Sequence, residues 1–204
     1  MFLVVTATLP SGRVLVDLLV VCTANVARSP LLEAMLRARL GGTSLTVASA
    51  GVDARVGDAA ASGSRAVAAA RGLALDDHRS MPLLAVPFEE ATVVLAMSRA
   101  QRAIVQRHRR PDLAGRTFAL RELVRLLERL QGGALERVIA GSAPGSPSRL
   151  QALADAAAAH RPVRGRRRLD VPDPIGQDLS AFEELAAELD GATDLLTDAL
   201  LRES

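Results

Sequence analysis

An apolar run, Val14-Leu15-Val16 followed by Leu18-Leu19-Val20-Val21, stops at nine residues that do not continue it, Cys22-Thr23-Ala24-Asn25-Val26-Ala27-Arg28-Ser29-Pro30. Directly after them comes Leu31-Leu32-Glu33-Ala34-Met35-Leu36. A short unbroken apolar run bounded by a turn reads as a strand buried on both faces, and proline in the first turn of the next segment reads as the opening of a helix. A buried strand that turns straight into a helix is the building unit of a parallel sheet covered on both sides. At such a turn the first N–H groups of the helix and the positive end of its dipole converge on one spot, which favours an anion.

Cys22 and Arg28 stand at the two ends of that turn. A thiolate at the bottom of the cradle can attack phosphorus, and a planar guanidinium can fork across two oxygens of a tetrahedral oxyanion, a geometry that lysine lacks. A lone cysteine at a strand end is more often just a small buried hydrophobe. The loop around it turns the reading towards phosphoryl transfer to sulfur. Asn25 lies mid-loop, where a left-handed backbone is often needed and where its side chain can brace the turn. Ser29 follows the arginine and can hydrogen-bond the sulfur as it leaves.

The rest of the chain alternates strands and helices. The pattern predicts a helix from Ser29 to about Leu40 ended by Gly41-Gly42, a strand over Leu45 to Ala48, a helix from Ala59 to Arg71, and a buried strand from Ala91 to Met97. A helix from Ser98 to about Arg109, a short strand at Thr117 to Ala119, a helix from Leu120 to Leu130 and a terminal helix from Leu179 to Leu201 complete it. The alternation predicts one three-layer α/β domain over 1–204, with a central parallel sheet, helices on both faces and the ligand at the carboxyl ends of the strands. Two stretches are additions to this plan. Residues 1–13 form an N-terminal extension, too short to span a bilayer and without a basic start. Residues 132–168 form an insertion: linker-like Gly132-Gly133 and Gly141 to Ser148, an alanine-rich helix over Arg149 to His160, and a basic run from Arg161 to Arg168 that reads as a solvated loop.

At Cys22 to Pro30 the chain resembles the low-molecular-weight protein tyrosine phosphatases of bacteria. Two further segments carry the same resemblance: Val47-Ala48-Ser49-Ala50-Gly51 with Val56-Gly57 after it, and Asp170-Val171-Pro172-Asp173-Pro174-Ile175-Gly176, which is similar to the family's late acidic loop. The resemblance implies a flavodoxin-like strand order, with the insertion falling before the acid loop. It also implies Cys22 as nucleophile, Arg28 as phosphate clamp and Asp173 as general acid and then base, with Asp170 the fallback acid. Thr23, Ala24, Asn25, Val26, Ala27, Arg28 and Ser29 would form the phosphate-binding loop, supported by Ser49 through a hydrogen bond to Asn25 and by His78. The chain departs from the family at four positions: Ala24 replaces a glycine, Ala27 a second cysteine, and Ile175 and Gly176 stand where aromatic residues often wall the substrate.

The implied function is hydrolysis of phosphotyrosine in proteins through a cysteinyl-phosphate, without metal or other cofactor. Phosphotyrosine-containing proteins, and with them a cognate tyrosine kinase, are the implied partners. Two alternatives stand beside it. One is a protein-arginine phosphatase of the same family, whose loop resembles this one but carries threonine where this chain has Val26; the other is a catalytically silent phosphoprotein-binding module. Arsenate reduction through a disulfide relay needs further cysteines, and this chain has one. The single cysteine fits a reducing cytoplasm, and a net charge of +2 does not argue for nucleic acid. The basic residues are all arginine, a bias that reads as a GC-rich bacterial genome.

Overall fold

A computed structural model describes residues 16–109, 111–130, 132–161 and 168–203. Strands β1 (Leu18–Cys22), β2 (Val47–Gly51), β3 (Val93–Ala96) and β4 (Thr117–Ala119) form one parallel sheet in the order β2-β1-β3-β4. The chain leaves β1 to one side for β2 and returns to its other side for β3, so the carboxyl end of β1 opens at the point where strand order reverses, the usual ligand crevice of such sheets. The predicted α/β class and strand order are those observed.

The pleat divides β1 between two cores. Leu18, Val20 and Cys22 pack into a cluster with Leu31 and Met35 of α1 (Arg28–Arg39) and Leu185 and Leu189 of α8 (Leu179–Leu201). Leu19 and Val21 face the opposite way, towards Val94 and Val105 of α3 (Arg99–His108) and Phe88. All five residues of β1 are buried, which is why its sequence reads as an unbroken apolar run and not an alternation. The α1 side also carries α2 (Ser62–Ala69) and α5 (Leu120–Arg129), while a short α4 (Pro111–Ala114) leads into β4.

Several boundaries differ from the sequence expectation; β3, for one, starts at Val93 and not Ala91. β2 begins two residues later than predicted and runs on to Gly51, because Thr46 is held by Asp17: its backbone N–H and its hydroxyl both donate to Asp17 Oδ2, at 2.8 and 2.7 Å. α2 starts at Ser62 and not Ala59, since the Ala61 N–H is drawn to Val26 O, 2.7 Å away in the Cys22 loop. The pair Gly132-Gly133, read as linker, starts a helix, α6 (Gly133–Ile139), which buries Leu135 and Ile139 four positions apart.

The alanine-rich segment forms α7 (Pro147–Ala159), with Pro147 in the first turn and the Ser146 hydroxyl accepting from Arg149 N at 3.3 Å. Its stripe Leu150, Leu153, Ala154 and Ala157 lies in the same core cluster as β1 and α8. Arg149 is fully buried and donates to the carbonyls of Ser142, Leu200 and Arg202, tying the turn before α7 to the end of α8. Arg161, the first residue of the basic run, is half-buried and bonded to the fold. It donates to Gly115 O at 3.1 Å and Thr117 O at 2.9 Å, pairs with Glu122 and stacks over Phe118, and this burial pushes its pKa below the usual value. Residues 162–167, and the expected N-terminal extension with Val14 and Leu15, lie outside the described residues. Among the described residues no helix is long and apolar enough to cross a membrane.

Candidate active site

Between the end of β1 at Cys22 and the start of α1 at Arg28 the chain reverses in five residues, and one of them takes the strain. Asn25 has φ of 55°, the one non-glycine residue in the left-handed region among the described residues. Such a conformation costs of order 1–3 kcal/mol unless the surroundings hold it. Here every polar atom of Asn25 is engaged. Its Nδ2 donates to Ser29 Oγ (3.0 Å) and Ser49 Oγ (2.8 Å), its Oδ1 accepts from Met81 N (2.8 Å), its carbonyl lies 2.7 Å from His78 Nε2, and its N–H donates to Cys22 Sγ (3.2 Å). Because the left-handed turn falls on Asn25, Ala24 keeps an ordinary φ, and a Cβ is tolerated there.

Cys22 Sγ is nearly inaccessible and receives two contacts, from Asn25 N and from Ser29 Oγ at 3.0 Å. Asn25 Nδ2 already uses an acceptor site on Ser29, whose single proton can point at sulfur or at Ala50 O, 3.5 Å away. Ala27, at the N-cap of α1, has no side chain with which to cap the first-turn N–H groups. Arg28 is buried; its Nη2 forms an ion pair with Asp173 Oδ2, its Nη1 donates to Val171 O at 3.3 Å, and its Nε is buried without a hydrogen-bond partner. The structure therefore brings Cys22, Asn25, Ser29, Ser49 and His78 into one network, and next to Ser29 in the chain it pairs Arg28 with Asp173. Thr23 is exposed at the loop's edge, and the carbonyls of Val26 and Ala27 accept from Ala61 N and from Ser64 Oγ, so the start of α2 holds the far side.

Asp170 points elsewhere. Its Oδ1 accepts from the N–H of Arg99, the first residue of α3, at 2.8 Å, and its carbonyl accepts from Arg121. At the mouth, Ile175 is half exposed and Gly176 has φ of 80°, a backbone that an aromatic residue adopts only with strain. Phe88, Phe118 and Phe182 are all buried. The exposed apolar side chains beside the loop are Val56 and Met81.

Two participants were not anticipated. Glu33 Oε2 accepts from Ser49 Oγ at 2.6 Å, which commits the Ser49 proton to the carboxylate and leaves its oxygen to accept from Asn25. The clue in the sequence was its spacing, four residues after Ser29 and hence on the same face of α1. Gln101 of α3 is buried, donates from Nε2 to Thr23 Oγ1 at 2.9 Å, and leaves Oε1 without a partner; no local pattern announces it.

Gly51 ends β2 against this loop. A Cβ built there would meet Thr23 O at 2.4 Å, Ala54 Cβ at 2.7 Å and Ala24 C at 3.0 Å, two of them backbone atoms that cannot swing aside. Gly51→Ala is expected to cost about 1–3 kcal/mol and to displace the loop, so thermal melting should show a lowered Tm together with reduced phosphate affinity. An unchanged Tm would show that the loop is far softer than its hydrogen bonds imply.

Comparison with known proteins agrees with this architecture. Residues 17–132 match the family described as low molecular weight phosphotyrosine protein phosphatase. The chain is 38% identical over 102 residues to the low molecular weight protein-tyrosine-phosphatase Etp of Escherichia coli K12, covering 50% of this chain and 67% of that one. It superposes on the low molecular weight protein tyrosine phosphatase from T. tengcongensis with a TM-score of 0.63 and 26% identity, covering 90% of this chain and 98% of that one. On the YwlE arginine phosphatase from Geobacillus stearothermophilus the TM-score is 0.61 at 26% identity, covering 89% and 90%. The chain thus belongs to the low molecular weight phosphotyrosine protein phosphatases, a family of hydrolases.

Proposed function

We propose that this protein hydrolyses phosphotyrosine in proteins through a cysteinyl-phosphate on Cys22, with Arg28 as phosphate clamp and Asp173 as general acid and base. The observations that carry the reading are a loop at the crevice end of β1 in which Cys22 Sγ accepts from Asn25 N and meets Ser29 Oγ, and, at the uncapped start of α1 directly after it, the Arg28 guanidinium paired with Asp173. A phosphoryl group seated on the loop would take the first-turn N–H groups of α1 and a fork of Arg28 made of the unpartnered Nε and Nη2. Taking Nη2 displaces Asp173 from its ion pair, which places the carboxyl beside the leaving oxygen when a proton is needed there. As the Cys22 S–P bond forms and the P–O bond breaks, Asp173 gives its proton to the departing phenolate oxygen. It then draws a proton from the water that attacks phosphorus, the S–P bond breaks as the new P–O bond forms, and Ser29 Oγ–H steadies the departing thiolate.

Ser49 and His78 support the loop through Asn25, and Thr23, Ala24, Val26 and Ala27 complete its wall. The partners in this reading are phosphotyrosine-containing proteins in a reducing cytoplasm, a cognate kinase among them. The likeness to an arginine phosphatase raises the second substrate class, against which the apolar branched Val26 favours an aryl phosphate.

Two measurements test the proposal. The wild-type protein should give a higher kcat/KM on a phosphotyrosine peptide than on the matching phosphoarginine peptide, and acid-quenched turnover should leave one phosphoryl group on the Cys22 peptide. A preference for phosphoarginine reassigns the substrate. No turnover of either peptide, with phosphopeptide binding intact, makes the chain a silent binding module.

A further inference from the structure

The acid loop is anchored at its stem more firmly than at its tip. Asp173 is touched by Arg28, by the N–H of Ile175 and, at its carbonyl, by Gln177. Two and three residues earlier, Val171 and Asp170 are pinned by four separate elements. Val171 N–H donates to Met97 O just past β3 (2.8 Å), Val171 O accepts from Arg28 of α1, Asp170 Oδ1 accepts from the N–H of Arg99 at the start of α3, and Asp170 O accepts from Arg121 Nη1 of α5 (2.7 Å). Arg121 is itself fixed: Nε and Nη2 make a bidentate pair with Oε1 and Oε2 of Glu188 on α8, both at 2.6 Å. That pair holds the guanidinium above its usual pKa. The segment between stem and tip is Pro172-Asp173-Pro174, whose proline rings restrict the torsions around Asp173. Val171 is held independently by Met97 O and Arg28, and the prolines restrict the torsions in which a shift at Asp170 can be taken up, so part of such a shift reaches the Asp173 carboxyl.

We propose that Arg121, locked by Glu188, is a positioning residue for proton delivery: it transmits the packing of α5 on α8 to the place where Asp173 meets the leaving oxygen. The inference rests on the reading of Asp173 as the general acid. Arg121 does not touch the phosphate loop; its bonds go to Glu188 and to the Asp170 carbonyl. Its loss should impair leaving-group protonation and spare phosphate binding, a division that general weakening of the fold would not produce. Misplacement of a catalytic group by about 1 Å can cost on the order of 100-fold, so a partial loosening should be visible.

The test compares kcat/KM on p-nitrophenyl phosphate, whose leaving group needs little help, with phenyl phosphate, whose leaving group needs a proton. Arg121→Lys keeps the charge but cannot span Glu188 and the Asp170 carbonyl together. It should raise the p-nitrophenyl to phenyl ratio by about 3- to 30-fold, with inhibition by vanadate unchanged within about twofold. Glu188→Gln should move the ratio the same way by a smaller factor, and it decides the matter should Arg121→Lys fail to fold. In an Asp173→Ala background, where the ratio is already raised, Arg121→Lys should add nothing, since both act on one proton. If Arg121→Lys lowers both substrates by the same factor, or raises the ratio equally without Asp173, the positioning role is wrong while the acid assignment stands. If Asp173→Ala itself leaves the ratio unchanged, the acid assignment falls and this inference falls with it.

Discussion

Cys22→Ser should remove aryl-phosphate turnover by about 10⁴-fold or more while leaving the fold and phosphate binding in place. The magnitude follows from the nature of the step: a serine hydroxyl is a far weaker nucleophile than a thiolate and a far poorer leaving group from phosphorus, so formation and breakdown of a covalent intermediate both slow. Stability should be spared because serine is slightly smaller and still meets both neighbours of the sulfur, Asn25 N and Ser29 Oγ. Calorimetric binding of a phosphotyrosine peptide to the variant, alongside the lost hydrolysis, is the combination to look for. Residual hydrolysis within tenfold of wild type would mean that the Cys22 thiolate is not the nucleophile.

The second large effect is expected at Asp173. Asp173→Ala should reduce kcat/KM on phenyl phosphate by about 10²- to 10⁴-fold, the usual range for a positioned acid, and far less on esters with acidic leaving groups. Binding of inorganic phosphate should hold or improve, because the substitution also frees Arg28 Nη2 from its ion pair. Asp170→Ala should do much less to leaving-group dependence, its Oδ1 being committed to the Arg99 N–H. A larger leaving-group effect at Asp170 than at Asp173 would exchange the two assignments.

How much of this was legible beforehand differs between elements. α1, α3, β4 and α8, and the end of β1, could be read within one or two residues, because each carries its own signal: a doubly buried apolar run, Pro30 in a first turn, Ser98 at an N-cap, or an amphipathic stripe. β2 and α2 were misplaced at their ends, where Thr46 answers to Asp17 and Ala61 to the Val26 carbonyl. Each of those partners lies about thirty residues away in sequence or more, beyond any local pattern. The segment after α5 was underestimated for a related reason. Glycine at 132, 133, 141 and 145 reads as linker, but α6 and α7 exist by virtue of the apolar surface that β1, α5 and α8 offer to Leu135, Ile139, Leu150 and Leu153.

By itself the sequence determined the strand, turn and helix that set Cys22, Asn25, Arg28 and Ser29 around one turn at the carboxyl end of β1, since these lie within eight residues and their geometry follows from backbone conformation and the start of a helix. Only the tertiary structure decided what holds that site. Ser49 and Glu33, Met81 and His78, Gln101 against Thr23, and Asp173 against Arg28 are contacts between elements that meet because the sheet places the ends of β1, β2 and β3 side by side. Hydrogen bonds act over about 3 Å whatever the separation along the chain. A side chain's partner across the crevice is therefore set by packing; the resemblance pointed to Ser49, His78 and Asp173, Glu33 had only its spacing on α1, and Met81 and Gln101 carry no local mark in the sequence.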